Sequence, residues 1–354
     1  MKTFVAKSDD WPEGGLEKLL RCPVCGSQKR KLVHAHLRDR MFGCAPGEWN
    51  IQECMACGSG YLDPRPTPAA IGLAYKQYLT HSPTGSVDYA TASWWRRFRI
   101  KQRNGYLNAN YGYHLEPAGS SPWLLGAARR RRFDSFTGFF HFPGSGARVL
   151  DVGCGNGGFL WKMRSLGWVA CGVEPDPKSA GYARAAGLDV RDGLLQPDSW
   201  PAGSFDAIMM NHVIEHLHDP LATLACCWQL LKPGGQITVA TPNFESRGHR
   251  FFGADWLALM PPTHLVLFTE TSLRRALETA GFVVSRPPRP SLKAREYFQT
   301  CLRLQRGYPM ADPAKKLCWR DRLEAEWLAA RADRATRQNP AVAEEAVLLG
   351  RKSA

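Results

Sequence analysis

The residues whose spacing most clearly implies chemistry are two cysteine pairs, in Cys22-Pro-Val-Cys25-Gly and Cys54-Met-Ala-Cys57-Gly. Each pair brings two thiolates to one side of a tight turn, and the following glycine permits the backbone conformation that turns amide groups toward sulfur. Four thiolates suit a tetrahedral Zn²⁺ ion and leave no open position for a substrate. The sequence therefore predicts a structural zinc site in preference to a redox pair.

A second group of reactive side chains lies in Asn211-His-Val-Ile-Glu-His-Leu-His218 and in Pro261-Pro-Thr-His-Leu-Val-Leu-Phe268. If His212 begins a turn, Glu215 and His216 come round beside it three and four residues later. His264 lies in a separate predicted loop. An imidazole is well matched to accepting a proton near neutral pH, so His216 or His264 is a candidate general base. The competing interpretation is that these residues only brace the fold.

A glycine-rich turn connects a predicted strand to a predicted helix near the middle of the chain. Arg148 to Val152 is a short apolar run typical of a buried parallel strand, and Phe159 to Leu166 has helical periodicity. The turn between them, Gly153-Cys-Gly155-Asn-Gly157-Gly158, lets a cofactor approach the backbone at the amino end of the helix. Its spacing alone fits a dinucleotide turn or a tighter G-x-G-x-G turn.

Two carboxylates beside the turn indicate which cofactor the turn binds. Asp151 lies two residues before Gly153, where a dinucleotide site normally has an apolar residue and where a carboxylate can reach a cationic amino-acid group. Glu174 ends the next apolar run, about 20 residues on, where a carboxylate can accept both ribose hydroxyls. The pair favours S-adenosylmethionine over NAD.

The motif Leu150-Asp-Val-Gly-Cys-Gly-Asn-Gly157 resembles the first motif of the class I S-adenosylmethionine-dependent methyltransferases. The resemblance continues, in order, through Phe205-Asp-Ala-Ile-Met-Met210, Leu231-Lys-Pro-Gly-Gly235 and Gln236-Ile-Thr-Val-Ala-Thr-Pro-Asn243. It implies an α/β fold with a Rossmann-like sheet and helices on both faces. Gly153, Gly155 and Gly157 would then cradle the cofactor, Asp192 would lie near the adenine, and Asn211 and His212 would border the methyl-transfer centre.

The same resemblance adds a third interpretation of the histidine cluster. Ubiquinone-pathway O-methyltransferases and small-RNA 2′-O-methyltransferases carry Glu-x-x-Glu-His and a later His, which correspond here to His212, Glu215, His216 and His264. These residues would hold a divalent metal. A histidine in place of the first glutamate lowers affinity for hard cations and shifts the preference toward transition metals.

The remaining sequence extends this core at both ends. We predict a zinc ribbon over 1–62, a helical connector on the substrate side over 63–145, and the methyltransferase core over 146–354 with a helical insertion at about 287–340. Ser93 to Leu107 interleaves aromatic residues with arginines and predicts a helix. Such a helix can stack on bases or lie at a membrane surface, but we expect it to pack its aromatic stripe on the neighbouring domain.

Composition bounds the partners. The chain has 354 residues and a formal charge of +14, concentrated in residues 1–145 (+9) and 285–354 (+7) around a centre of −2. No stretch reaches ~18 consecutive apolar residues, so we expect no transmembrane segment. Eleven cysteines without a recognisable export signal predict a cytoplasmic protein with reduced thiols. A homodimer is compatible with the carboxy-terminal helices.

The resulting hypothesis is a zinc-containing O-methyltransferase that acts on a small molecule or a saccharide, anionic acceptors included. Zinc-ribbon methyltransferases of glycan and secondary-metabolite pathways resemble this architecture. An RNA methyltransferase is the alternative enzyme, but Asn211-His212 replaces the motif of many base N-methyltransferases and the charge is diffuse, so we do not expect a nucleic acid. A non-catalytic binding or scaffold protein is the third possibility.

Overall fold

The computed structural model describes residues 11–41, 43, 45–75, 93–120, 125–308 and 315–353. Its amino-terminal part consists of short strands, followed by a 3₁₀ turn at Ile71–Tyr75 and two helices. These elements are β1 (Leu16–Glu17), β2 (Arg30–Leu37), β3 (Trp49–Cys54), β4 (Gly60–Leu62), β5 (Arg65–Pro66), α1 (Trp94–Tyr111) and α2 (Ala127–Phe136).

Strands and helices largely alternate through the central part of the chain. They are β6 (Arg148–Val152), α3 (Gly158–Ser165), β7 (Val169–Glu174), α4 (Pro177–Ala185), β8 (Asp189–Asp192), β9 (Phe205–Asn211), α5 (Pro220–Leu230) and β10 (Leu231–Pro242). After them come α6 (Arg247–Phe252), β11 (Val266–Leu267), α7 (Glu270–Thr279), β12 (Val283–Ser285), α8 (Ala294–Gln305), α9 (Trp319–Gln338) and β13 (Glu345–Arg351). Local sequence sets several starts: Asp176 and Asp219 cap α4 and α5, each followed by proline in the first turn.

Seven strands form the central sheet in the order β12-β13-β10-β9-β6-β7-β8. The run β10-β9-β6-β7-β8 is parallel, whereas β13 pairs antiparallel with β10 and β12. The chain reverses its direction of winding between β6 and β9, which is the position where open α/β sheets bind ligands. This arrangement confirms the predicted Rossmann-like class I sheet.

The antiparallel direction of β13 has a consequence for the site. Its first residue, Glu345, pairs with Pro242 at the carboxyl end of β10. An antiparallel strand therefore begins at the same edge of the sheet where the parallel strands end. Side chains from Asp151, Glu174, Asn211 and Glu345 are thus all brought to one edge.

The amino-terminal strands form a smaller sheet that includes part of the core. Its order is β11-β4-β3-β2, and β11 pairs through Val266 with Tyr61 and through Leu267 with Gly60. The neighbouring backbone bond from Leu62 N to Leu265 O is 3.0 Å long. The two cysteine knuckles and the His264 loop are consequently parts of one hydrogen-bonded unit.

Helix α1 differs from its prediction in how it packs. Its carboxy-terminal half is buried, with Tyr106 and Tyr111 both donating to Asp134 at 2.7 Å. Its first two turns are exposed, and Trp94, Trp95 and Phe98 lie in solvent. We expected the aromatic stripe to pack on a neighbouring domain, and this is wrong for these three rings. They lie in the first two turns of α1, whereas the described residues of the protein bury the helix only further along.

In the segment where we predict a helical insertion, α8 and α9 pack on each other before β13. Residues Ala294, Tyr297, Phe298, Cys301 and Leu302 form the buried face of α8. Within the described residues, no helix combines the length and the apolar character needed to span a bilayer.

Candidate functional site

The glycine turn after β6 has the backbone conformation that its sequence predicts. Gly153, Gly155 and Gly157 have positive φ angles of 69°, 54° and 79°. A Cβ at Gly153 would lie 2.5 Å from Val213 Cγ2, and one at Gly157 would lie 2.3 Å from Leu188 Cδ1. Glycine meets both demands, because it adopts a positive φ readily and has no Cβ to strike Val213 or Leu188.

Glu174 ends β7 beside this turn with a fixed orientation. Its Oε2 accepts from Gly155 N at 2.8 Å, and its Oε1 accepts from Asp176 N at 2.9 Å. The side chain is buried, with 8% of its surface exposed. Two backbone donors therefore fix the carboxylate at the end of the second parallel strand. In folds of this type an acidic residue at this position binds the ribose of the cofactor.

Asp151 contributes a second, deeper carboxyl group. Burial, and after it the negative charge of Glu174, raises the pKa of Asp151 to about 8. The positive charge of Lys162 acts in the opposite direction. A buried acid next to a second carboxylate gains most from a cationic ligand, which supplies the missing countercharge. The pair therefore suits a ligand that carries an ammonium group or a sulfonium group.

The structure places the other two predicted cofactor residues at strand ends. Asp192 ends β8 and pairs with Arg184, its Oδ1 lying 2.8 Å from the guanidinium. The next residue, Gly193, donates its backbone N–H to Glu174 O at 3.0 Å. Asn211 ends β9 and is exposed. Their contacts with cofactor stay predictions.

Three of the four predicted catalytic residues converge after β9. One carboxylate oxygen of Glu215 and one ring nitrogen each of His216 and His264 lie within 4.8 Å of one another. Glu215 is fully buried; its Oε2 accepts from Thr241 Oγ1 at 2.9 Å, while its Oε1 accepts no hydrogen bond. The rings of His216 and His264 meet edge to face, with centroids 4.6 Å apart.

Backbone carbonyls fix the tautomers of both rings. His216 Nδ1 lies 2.9 Å from Thr263 O, and His264 Nδ1 lies 2.7 Å from Ala258 O. A carbonyl can only accept, so each Nδ1 carries the proton and each Nε2 keeps its lone pair. Burial lowers the pKa of His216, and burial together with His216 lowers that of His264 to about 3, so both rings are neutral.

His212 is a cation rather than part of this proton-accepting set. Its Nε2 lies 2.9 Å from Glu345 Oε1, and its Nδ1 lies 3.4 Å from Glu215 Oε1. Burial opposes charging, but the two carboxylates raise the pKa of His212 to about 10. The residue also has a positive φ of 54°, a strained conformation for a side chain of this size. His212 thus holds the two carboxylates in place and offsets one of their two negative charges.

The four cysteines form the predicted cluster. Cys22 Sγ and Cys57 Sγ are 3.7 Å apart, Cys25 Sγ and Cys54 Sγ are 3.4 Å apart, and all four sulfurs lie within 4.8 Å of one another. Zinc–sulfur bonds of about 2.3 Å in a tetrahedron separate sulfurs by nearly these distances. The donor set and its geometry therefore fit a closed tetrahedral site.

Glu345 is a site residue that the sequence analysis did not single out. It binds His212 and accepts from Ser291 Oγ at 2.9 Å. Its charge also raises the pKa of Lys293 and that of Tyr297, for which burial is the larger cause. A carboxylate at the start of the last apolar run of the chain was the available signal, but only the sheet order shows that this strand begins beside the end of β10, one strand away from β9.

Comparison with known proteins agrees with this geometry. Residues 125–286 match the family model of a methyltransferase domain. The match covers the glycine turn and six of the seven strands of the central sheet, and it supports a class I S-adenosylmethionine-dependent methyltransferase domain over these residues.

The similar curated proteins are ubiquinone biosynthesis O-methyltransferases. The chain is 32% identical to that of Aromatoleum aromaticum over 127 residues, which cover 33% of this chain and 54% of the relative. It is 34% identical to that of Cereibacter sphaeroides over 123 residues, covering 32% and 50%. The chain thus spans about half the length of the curated relatives it matches. A similar solved structure is the [4+2]-cyclase SpnF, with a TM-score of 0.44 and 21% identity over 72% of this chain and 93% of that one.

Proposed function

We propose that this protein transfers a methyl group from S-adenosylmethionine to a hydroxyl oxygen of a small molecule or a saccharide. The observation that carries the proposal is the close approach of Gly153 to Val213, where an added Cβ would strike the valine. Val213 directly follows His212 and precedes the short turn that holds Glu215 and His216. The turn that holds the donor and the groups that can receive a proton are therefore adjacent. The names of the curated relatives support an oxygen acceptor.

The chemistry needs alignment more than acid or base strength. The acceptor oxygen attacks the methyl carbon, the carbon–sulfur bond breaks, and the sulfonium leaves as a neutral thioether. Asp151 and Glu174 bind the donor, with the ammonium and the ribose as their targets. The acceptor O–H loses its proton to His216 Nε2, since His216 is partly exposed whereas His264 is buried.

A divalent metal at Glu215, His216 and His264 is the competing role for the same groups. The observation that favours it is the buried Glu215 Oε1, which accepts no hydrogen bond. This atom lies 3.4 Å from the charged His212 Nδ1 and beside two imidazoles with available Nε2 atoms. One carboxylate and two imidazoles suit a transition metal better than Mg²⁺. Such an ion would bind the acceptor oxygen and promote loss of its proton.

We further propose that Cys22, Cys25, Cys54 and Cys57 hold a structural Zn²⁺ ion. Ser59 supports the cluster, because its Oγ lies 3.3 Å from Cys22 Sγ and 3.1 Å from Cys57 Sγ in a fully buried position. The metal would stabilise the sheet that includes β11 and, through it, the His264 loop.

Transfer of label from S-[methyl-³H]adenosylmethionine to a panel of catechols and saccharides tests the activity. We expect a methyl ether product, and we expect His216→Gln to lower kcat by about 10²-fold or more while S-adenosylmethionine still binds. Activity that survives EDTA favours His216 as the base, and activity that EDTA removes and Mn²⁺ restores favours the metal. Label found only on nitrogen or on RNA would contradict the proposal, as would a failure to bind the donor.

A further inference from the structure

The amino-terminal end of α1 carries an unpartnered aromatic surface, formed by Trp94, Trp95 and Phe98. These side chains are 65%, 57% and 43% exposed. Every residue from Ser93 to Arg99 is exposed, whereas the helix is buried from Asn104 to Leu107. Among the residues that the structure describes, nothing covers these three rings. Soluble proteins rarely leave several large aromatic side chains together in water without a use for them.

Two basic residues of α1 flank this aromatic surface. The 18 residues of the helix include no Asp or Glu, and their basic residues are Arg96, Arg97, Arg99, Lys101 and Arg103. With a helical advance of about 100° per residue, the three rings span an arc of about 100°. Arg99 then lies on one side of the arc and Lys101 on the other.

We propose that the aromatic surface of α1 docks on the surface of a lipid bilayer that contains anionic lipids. Tryptophan is favoured at the level of lipid headgroups because its ring is apolar and its N–H is polar. The flanking cations would meet lipid phosphates, and basic groups near an anionic surface strengthen binding until salt screens them. The protein would bind peripherally, with α1 lying along the interface.

Two other occupants fit these observations less well. A second copy of the chain placed symmetrically on this surface would bring arginines against arginines, and α1 has no acidic residue to compensate them. A single-stranded nucleic acid would need ring faces on which to stack its bases. Trp94 and Trp95 already stack on each other, with centroids 3.6 Å apart, so each has one face in use. The surface lies outside residues 125–286, and its role does not depend on the reaction proposed above.

Co-sedimentation of the full chain with vesicles tests the proposal. We expect binding to vesicles of phosphatidylglycerol and phosphatidylcholine, and little binding to phosphatidylcholine alone. Raising salt from about 0.1 M to about 1 M shortens the Debye length from about 10 Å to about 3 Å and should release much of the bound protein. The double variant Trp94→Ser/Trp95→Ser should lower the partition coefficient by about tenfold or more.

A matched control is available on α9, where Trp319 and Trp327 are 67% and 58% exposed. The variant Trp319→Ser/Trp327→Ser removes the same two side chains from another helix and should bind vesicles as the unaltered protein does. Charge reversal of the two flanking cations by Arg99→Glu/Lys101→Glu should weaken vesicle binding while both tryptophans remain. Circular dichroism confirms that each variant is folded.

Several outcomes would overturn the proposal. Equal losses in the α1 and α9 tryptophan variants would show that α1 is not the docking surface. Vesicle binding that does not depend on lipid charge would show that the basic residues of α1 do not contact anionic headgroups. Absence of vesicle binding, together with a dimer or with retention of single-stranded RNA that Trp94→Ser/Trp95→Ser abolishes, would assign the surface to one of the other occupants.

Discussion

A raised pKa of Asp151 makes donor binding depend on pH. The carboxyl group has a pKa of about 8 in the free protein, and an ammonium placed beside it would favour its charged form. Binding of S-adenosylmethionine should therefore release a proton from Asp151 near neutral pH. Affinity should fall as pH falls below about 8, because a growing share of the free protein must first lose that proton.

The size of the effect follows from that pKa. One pH unit below the pKa, ionising the carboxyl costs about 1.4 kcal/mol, so the Kd at about pH 7 should be about tenfold higher than for the ionised form. A further unit should add about another factor of ten. The ligand's own α-amino group titrates near pH 8 as well, and its contribution must be separated.

Isothermal titration calorimetry of the unaltered protein and of Asp151→Asn performs this separation. Titrations across about pH 6 to pH 9, in two buffers that differ in ionisation enthalpy, give the Kd and the number of protons released. The ratio of the two Kd values at each pH isolates Asp151, because the ligand titrates identically in both experiments. A ratio that stays constant over the range, with equal proton release by both proteins, would refute the reasoning.

Two further results are expected of the remaining groups. Glu174→Gln should weaken binding of S-adenosylmethionine by about 2 kcal/mol, since it removes a charged acceptor that Gly155 and Asp176 hold in place. The control variant Glu278→Gln, on an exposed turn of α7, should leave the Kd unchanged. Calorimetry measures both Kd values. Cys25→Ser should lower the zinc content and the unfolding temperature, whereas Cys318→Ser, at an exposed cysteine, should change neither. Elemental analysis measures the zinc and calorimetry measures the unfolding temperature. Equal zinc content in both variants would argue against the cluster.

Local patterns in the sequence were sufficient for the core of the fold. The strand ending at Val152, its glycine turn and the following helix are set by neighbouring residues, so β6 and α3 lie where the pattern predicts them. The cysteine knuckles are equally local. Convergence of Glu215, His216 and His264 was also predictable in outline, because a turn after one strand and a later loop reach the same edge of the sheet.

The rest depends on contacts between distant parts of the chain. Glu345 reaches His212 across 133 residues, and only the position of β13 beside β10 explains why. The aromatic residues of α1 could not be placed because a stripe of rings on a helix has the same pattern whether a protein surface or solvent faces it. Which half of α1 the protein covers is set by α2 and its neighbours, and Tyr106 and Trp94 differ in burial for that reason.

The pairing of β11 with β4 limits how this protein can be cut or recombined. A chimera that exchanged the first 62 residues for those of another protein would leave Val266 and Leu267 facing a foreign strand. Deleting those residues would expose an edge strand next to His264, and unpaired edges invite aggregation. A segment exchanged between related proteins must therefore include both the cysteine segment and the distant β11. The structural units of this protein are for that reason not continuous stretches of its sequence.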